Sequence, residues 1–489
     1  MRRKWSFPFY PIIIGAAWVL AMYAEGIDIV PGPDVLWAPL ATVILAVMVS
    51  MLALRIVVRE WNQVALLSTL FLIMTIVYGH LLPFDPTTYP PLLHRVLLPL
   101  WTIFGICGVF IIMRTKGLGR RRLTTIGNIV SVGILVVVLT NVVLSGRGSS
   151  GAGGHQEYQV NPKEPLPDIF YIVPDEYASF DVLQSFYGYD NSEFRSFLEE
   201  KWFHVSPGAF SNYPDTVPSM ASTLNMTYLT TRDGDFPKGM LMDNDVVRTL
   251  KKVGYQYIHV GSWFDVTATN KHADVNHNSS YGEFSWTLYK STALYAIESA
   301  IVGSNEDDYC RGHTEGQVRY MLEEWEKDRD PGRPTFTLIH LLCPHTPFVF
   351  NADGSEATAE QIRSWEGDEG YLEQVKAVSG MIEDMVNHIL EMSEDPVVIL
   401  QADEGPNPAA WLGCDDYEGN PVVLENKFGI LLACLVPEAD EDLLVGICSP
   451  VNIFRLIFDT YLGTELGRLT DRNYISTELE VTEYIGEAW

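Results

Sequence analysis

Basic residues are scarce in this chain. Across 489 residues, 33 Lys and Arg face 62 Asp and Glu, for a formal net charge of −29. Nucleic-acid binding needs a basic footprint, so that class is excluded. The six cysteines include no Cys-x-x-Cys pair and no zinc-type spacing, which removes cysteine-held zinc modules. Five of them lie beyond residue 300, where their pairing cannot be read, and Cys343, in an apolar run, is expected to be a buried thiol. The first apolar run lacks a small-residue cleavage site and is followed directly by others, which argues against a removed signal peptide. The apolar runs also lack polar residues to line a path, so a transporter built from them is disfavoured.

Long apolar runs are present, all in the first third. They cover roughly 8–24, 35–57, 64–83, 93–113 and 125–145, each near the ~20 residues a bilayer-spanning helix needs. Arg2, Arg3 and Lys4 precede the first run, Arg55 and Arg59 follow the second, and Arg114, Lys116, Arg120, Arg121 and Arg122 follow the fourth. The alternate loops 25–34 and 84–92 carry neither Lys nor Arg. The positive-inside rule therefore predicts a multi-pass protein of the cytoplasmic membrane, with a cytoplasmic N-terminus and everything after the fifth span outside. Residues 1–145 read as a transmembrane anchor domain and the Gly/Ser- then Pro-rich 146–166 as a linker. Residues 167–489 read as an extracytoplasmic domain. Beyond residue 146 the chain carries 22 Lys and Arg against 57 Asp and Glu.

In the outer part, short β-rich runs at 168–173, 255–260, 335–342, 396–401 and 428–435 alternate with helix-like segments at 190–200, 216–226, 243–253, 314–328, 370–392 and 449–462. This alternation predicts an α/β domain with a mainly parallel sheet. Functional groups in such sheets gather past the C-terminal ends of strands. Asp175 and Glu176 follow the first strand, His345 follows the third after His340 within it, and Asp403, Glu404 and Gly405 follow the fourth.

The stretch 211–228 contains Thr216 at the start of a small-residue helix, with Asp215 as N-cap and Pro218 in the first turn. A hydroxyl there sits beside free backbone N–H groups and the positive end of the helix dipole, a good place to hold and attack a phosphate or sulfate. Carboxylates from two strand ends beside it suit one divalent cation. Such an ion lowers the hydroxyl pKa and offsets the charge of a transferring phosphoryl group. After the second strand, Trp263, Asp265, His272 and Asp274 are candidates to line the cleft.

The ordered segments PDIFYIVPDEY (167–177), FSNYPDTVPSMASTLNMTYL (210–229), FTLIHLLCPHTPFVF (336–350) and VVILQADEGP (397–406) resemble the sulfatase-like branch of the alkaline phosphatase superfamily. Its membrane-anchored members include lipoteichoic acid synthases and phosphoethanolamine transferases. The resemblance covers roughly 166–476 and implies an α/β alkaline-phosphatase-like domain. It implies Asp175 and Asp403 as metal ligands, and Thr216 as both ligand and covalent nucleophile. His345 would contact the substrate phosphate or leaving group, and Asn212, His340 and Trp263 would line the substrate site.

Glu404 departs from that pattern, because the family reads Asp-His-Gly where this chain reads Asp403-Glu404-Gly405. A set of Asp175, Thr216, Asp403 and Glu404 is all oxygen, which favours Mn²⁺ or Mg²⁺ over Zn²⁺. In the Cys/Ser-x-Pro-x-Arg frame of true sulfatases this chain has Thr216-Val217-Pro218-Ser219-Met220. Threonine cannot be oxidised to the formylglycine aldehyde, so phosphate chemistry is favoured over sulfate. The expected activity is a phosphotransferase or phosphoesterase acting outside the membrane on a lipid-linked or glycan phosphate ester. The competing reading is a catalytically silent relative that serves as an envelope-binding scaffold.

Overall fold

The computed structural model describes residues 7–25, 33–78, 91–145, 155–206, 208–229, 236–278, 282–301, 306–408, 421–476 and 481–484. The chain divides into two compact units, Met1–Ser149 with Tyr281–Asn305, and Ser150–Ser280 with Glu306–Trp489.

The first unit is built on the helices Tyr10–Glu25, Trp37–Val57, Trp61–Tyr78, Pro91–Arg114 and Gly117–Ser145. The last four contain stretches long and apolar enough to cross a bilayer, while the first has 16 residues and is shorter. Five expected spans thus correspond to four of spanning length and one shorter apolar helix. Their outward faces carry Leu, Ile, Val and Phe side chains in the open, as lipid-facing helices do. Polar contacts join them from within. Ser50 Oγ meets Ser68 Oγ at 2.8 Å, and Asn128 Oδ1 accepts from Tyr10 N at 3.2 Å, satisfying a donor that the start of a helix leaves open. Arg120 pairs with Glu60 at 2.7 Å, joining two segments that the charge pattern assigns to one side.

Two short helices, Glu283–Lys290 and Ala293–Ile301, also belong to this unit. The expectation that all of 167–489 forms one outer domain is therefore corrected for 281–305. Phe284 and Leu288, four apart and so on one helix face, cluster with Val19, Tyr23 and Leu36 of the membrane helices. Tyr23 meets the Phe284 ring edge-on at 6.0 Å.

The second unit is an α/β domain. Its seven-stranded sheet has the order β2-β7-β6-β1-β5-β3-β4, with β1 at Ile169–Pro174, β2 at His204–Val205, β3 at Gln256–Val260, β4 at Val275–His277, β5 at Thr335–Leu341, β6 at Val397–Gln401 and β7 at Leu432–Leu435. The run β6-β1-β5-β3-β4 is parallel throughout, and β7 is antiparallel to both β6 and β2. Strands β1, β3, β5 and β6 are buried along their whole length, the pattern of a parallel sheet covered on both faces. That burial explains why they read as continuous apolar runs. β2 and β4, with two and three residues, are too short to show in the sequence. So is the separate β-hairpin of β8 (Asn473–Ser476) and β9 (Val481–Tyr484).

Asp168, just before β1, fastens the opposite end of the sheet. It accepts from Thr335 N at 2.7 Å and Ser393 Oγ at 2.6 Å, and it pairs with Arg329 at 2.7 Å. The expected linker is also corrected where it is described. Tyr158 is buried against Phe458, and Asn161 N and Lys163 N bond to Leu462 O and Tyr461 O, so residues 155–163 are part of the domain.

Candidate functional site

The parallel order places β1 between β6 and β5, so the groups at their C-terminal ends converge without help from long loops. Asp175 follows β1, His340 is the penultimate residue of β5, and Asp403 lies two residues past β6. All three side chains are buried, and one atom from each lies within 4.8 Å of the other two. His340 Nε2 is 3.9 Å from Asp175 Oδ2 and 3.8 Å from Asp403 Oδ2.

Thr216 opens the helix Thr216–Asn225, whose inner face from Ser219 onward is buried. Asp215 occupies the N-cap position with extended backbone, but its side chain makes no capping bond. Ser219 Oγ donates to Asp403 O at 2.5 Å, which pins the first turn to the end of β6. The Thr216 hydroxyl stands near enough to the Asp403 carboxylate to favour its charged form. Nucleophile candidate and carboxylate are thus kept side by side by the Ser219 bond.

A metal ion is implied by the fold family, and the residues present fit one. Asp175 Oδ1, Asp403 Oδ2 and His340 Nε2 are buried polar atoms with no hydrogen-bond partner in the protein. Orphaned atoms of this kind are costly unless something else satisfies them. His340 Nδ1 lies 2.8 Å from Thr267 Oγ1. With its proton on Nδ1, the ring presents Nε2 as a lone pair to the carboxylates, the arrangement that orients a metal-binding histidine. Thr267 is itself held, by Ser262 Oγ at 2.8 Å and through its carbonyl by His259 Nε2 at 2.8 Å.

The electrostatics follow from burial and crowding. Burial, then repulsion from Asp403, Glu404 and Glu176, pushes the Asp175 carboxyl well above its ordinary value. Burial acts in the same sense on Asp403, but the His340 ring 3.8 Å away, the neighbouring Thr216 hydroxyl and the Glu404 N–H, which donates to Oδ1 at 2.9 Å, outweigh it and hold that carboxyl below its ordinary value. The two carboxylates therefore share one negative charge more easily than two unless a cation joins them.

Glu404 is not one of this trio. Its Oε2 lies 3.0 Å from Lys427 Nζ, and the same ammonium is 3.2 Å from Glu176 Oε1. Burial works against the charge on Lys427, yet Glu404 and Glu176 outweigh it and raise its pKa. The expected ligand set Asp175, Thr216, Asp403 and Glu404 thus changes: His340 stands beside the carboxylates, and Glu404 is paired with an internal cation. Sequence reasoning gave Lys427 no role, because nothing around residue 427 resembles a motif. Gly405 makes the meeting possible. A Cβ there would lie 1.9 Å from Asn426 O, and Gly405 N donates to Lys427 O at 2.8 Å.

Glu176 has a left-handed backbone, φ +59°, uncommon for a residue with a side chain. Tyr371 Oη holds that turn, donating to Glu176 O at 2.9 Å and accepting from Ala178 N at 3.1 Å.

Of the remaining candidates, His345 and Trp263 come together, their rings edge-to-face at 6.5 Å. His345 N donates to Asp175 O at 3.2 Å, which ties it to the site. Its Nδ1 faces Thr346 O at 2.5 Å. Asn212 does not line a cleft. It is fully buried, donates from Nδ2 to Ser449 Oγ and Arg472 O, and accepts from Val451 N. Its amide is used in fastening the C-terminal segment. His272 and Asp274 also point elsewhere, to Asp243 at 3.4 Å and Lys251 at 2.9 Å. Asp265 is buried in the loop after β3. Cys343, Cys434 and Cys448 are free thiols, with Cys343 buried as expected.

The sulfatase family profile matches residues 167–421, more than half of the chain. The protein therefore belongs to the sulfatase family. No curated protein sequence matches it significantly. Among solved structures, it is similar to the integral membrane protein lipooligosaccharide phosphoethanolamine transferase A (EptA) from Neisseria meningitidis. The identity is 12%, over 92% of this chain and 95% of that one, with a TM-score of 0.43. It is also similar to the C-terminal periplasmic domain of EcEptC from Escherichia coli in complex with Zn, at 10% identity over 68% of this chain and 96% of that one, TM-score 0.46. A third similar structure is the phosphonate monoester hydrolase of Agrobacterium radiobacter, at 14% identity over 61% of this chain and 74% of that one, TM-score 0.39.

Proposed function

We propose that this protein is a metal-dependent phosphotransferase or phosphoesterase that acts outside the membrane through a covalent Thr216 intermediate. One observation carries the reading: Thr216 opens a buried helix whose first turn is pinned, through Ser219 Oγ to Asp403 O, beside the buried Asp175–His340–Asp403 group. A sulfatase reading is disfavoured by the same helix. Met220, in the position of the sulfatase arginine, is buried in the hydrophobic core and offers no charge to a sulfate.

Thr216 Oγ1 attacks phosphorus, the bond from phosphorus to the departing alcohol breaks, and the hydroxyl proton passes to solvent. His345, whose Nδ1 is held against Thr346 O, gives a proton from Nε2 to the departing alkoxide. A second alcohol or water then attacks the phosphothreonine and leaves its own proton to His345, while the bond from phosphorus to Thr216 Oγ1 breaks and the threonine oxygen takes its proton back from solvent. Asp175, His340, Asp403 and Thr216 would hold the divalent ion, which when bound supplies charge that lowers the hydroxyl pKa and offsets the phosphoryl negative charge. The imidazole replaces an expected oxygen donor, which keeps Mn²⁺ favourable, weakens the case for Mg²⁺ and readmits Zn²⁺. The membrane helices support a lipid-linked phosphate ester as donor, with the catalytic domain on the extracytoplasmic side.

The test uses detergent-solubilised full-length protein, a fluorescent phospholipid and Mn²⁺. Thr216→Ala should abolish both diacylglycerol release and the phosphoryl-headgroup mass adduct seen in quenched wild-type protein. Undiminished turnover would remove the mechanism. Absence of divalent-ion binding by the wild type would favour the silent scaffold.

A further inference from the structure

We propose that the helical pair 283–301 is a membrane-interface element, seated in the headgroup layer of the outer leaflet and covered there by phospholipid. Its depth is set by what it packs against. Tyr23 lies in the last turn of the helix Tyr10–Glu25, and Leu36 immediately precedes Trp37–Val57. Val142, in the last turn of Gly117–Ser145, completes the contact layer with Phe284 and Leu288. These are ends of membrane helices, so the pair lies at the boundary between hydrocarbon and water. The Lys/Arg pattern assigns all three ends to the outer side, the side from which segment 281–305 arrives along the chain.

The composition fits that depth. Trp286, Tyr289 and Tyr295 form a ring cluster with centroids 5.7–5.9 Å apart, and Trp37, at the same level, is 64% exposed. Trp and Tyr gather at membrane interfaces because one part of the ring system is apolar and another polar. Lys290 Nζ stands 5.9 Å from the Trp286 ring centre, at a length that lets an ammonium reach phosphate while its stem stays in apolar surroundings. Leu294 and Ile297, three apart on one face of the second helix, are 55% and 39% exposed. The second helix packs on Trp61–Tyr78, a helix of the bundle whose outward apolar side chains are open, and phospholipid is the occupant those outward faces call for. The proposal stands apart from the phosphotransfer reading and needs no catalytic activity.

The experiment places nitroxides at Leu294→Cys and Ile297→Cys, and at Lys252→Cys as a water-exposed reference, in full-length protein with Cys107, Cys414 and Cys448 changed to Ser. The protein is reconstituted in vesicles of phosphatidylethanolamine and phosphatidylglycerol. Labels at 294 and 297 should collide with oxygen more and with a water-soluble nickel chelate several-fold less than the label at 252. Nickel accessibility equal to that at 252 would overturn the proposal, as would spin–spin broadening showing that a second copy covers the face. Both substitutions are at exposed positions, so correct folding is expected and is checked by the unchanged elution volume of the labelled protein.

Discussion

Lys427 Nζ lies 3.0 Å from Glu404 Oε2, and both side chains are buried. This pair resolves a tension in the sequence, where a glutamate replaces the family histidine beside Asp403. A further carboxylate in a crowded site opposes an anionic substrate, but one already neutralised by an internal ammonium does so far less.

Removing one partner should therefore be worse than removing both. Lys427→Met leaves Glu404 and Glu176 buried and unpaired and should destabilise the outer domain by about 3–5 kcal/mol. Adding Glu404→Gln should recover a substantial part of the loss. Thermal denaturation of the single and double variants measures this, and strictly additive losses would refute the pairing.

His340 is positioned for metal binding by Thr267, 2.8 Å from its Nδ1. Thr267→Val removes the acceptor that fixes the ring proton while nearly preserving volume. Mn²⁺ affinity by calorimetry should fall about 10–100-fold. Glu404→Gln, by contrast, should leave affinity within a few-fold of wild type if Glu404 is not a ligand.

His259 supplies a pH dependence. Burial, only partly offset by its bond to Thr267 O, lowers its pKa from 6.5 to about 4. The unfolded chain takes up the proton near pH 6.5, whereas the folded protein resists it until about pH 4. The contribution to stability is thus complete above about pH 6.5, declines as pH falls, and is gone below about pH 4, up to about 3 kcal/mol in all. Melting temperatures across this range should slope less in His259→Gln than in wild type. Parallel slopes would contradict the assignment.

Gly405 leaves no room for a side chain, because a Cβ would lie 1.9 Å from Asn426 O and 2.8 Å from Gly429 O. Both obstacles are backbone. Gly405→Ala should lower stability by about 1–3 kcal/mol and disturb the Glu404–Lys427 pair with it. An unchanged melting temperature would show that the strand end can move freely.

Much of the architecture was legible before any coordinates. Continuous apolar runs revealed β1, β3, β5 and β6, because strands buried on both faces leave no alternation. The helix at Thr216 was legible from its small residues and from Pro218 in the first turn. Segment 281–305 was not, since an apolar pair such as Phe284 and Leu288 looks the same whether it faces a sheet or a membrane helix. Asn212 was misread for a similar reason: a buried amide serving the C-terminal segment has the same sequence appearance as one aimed at a ligand.

The sequence by itself determined the membrane runs, the α/β alternation, and the placing of Asp175, Thr216 and Asp403 at strand and helix ends. These depend on local periodicity and on residues near one another in the chain. Only the tertiary structure decided the partners. It set His340 between two carboxylates and turned Glu404 toward Lys427, 23 residues further along the chain. The physical reason is that buried charges are settled by whichever opposite charge the fold brings within about 3–4 Å, and no motif encodes that distance.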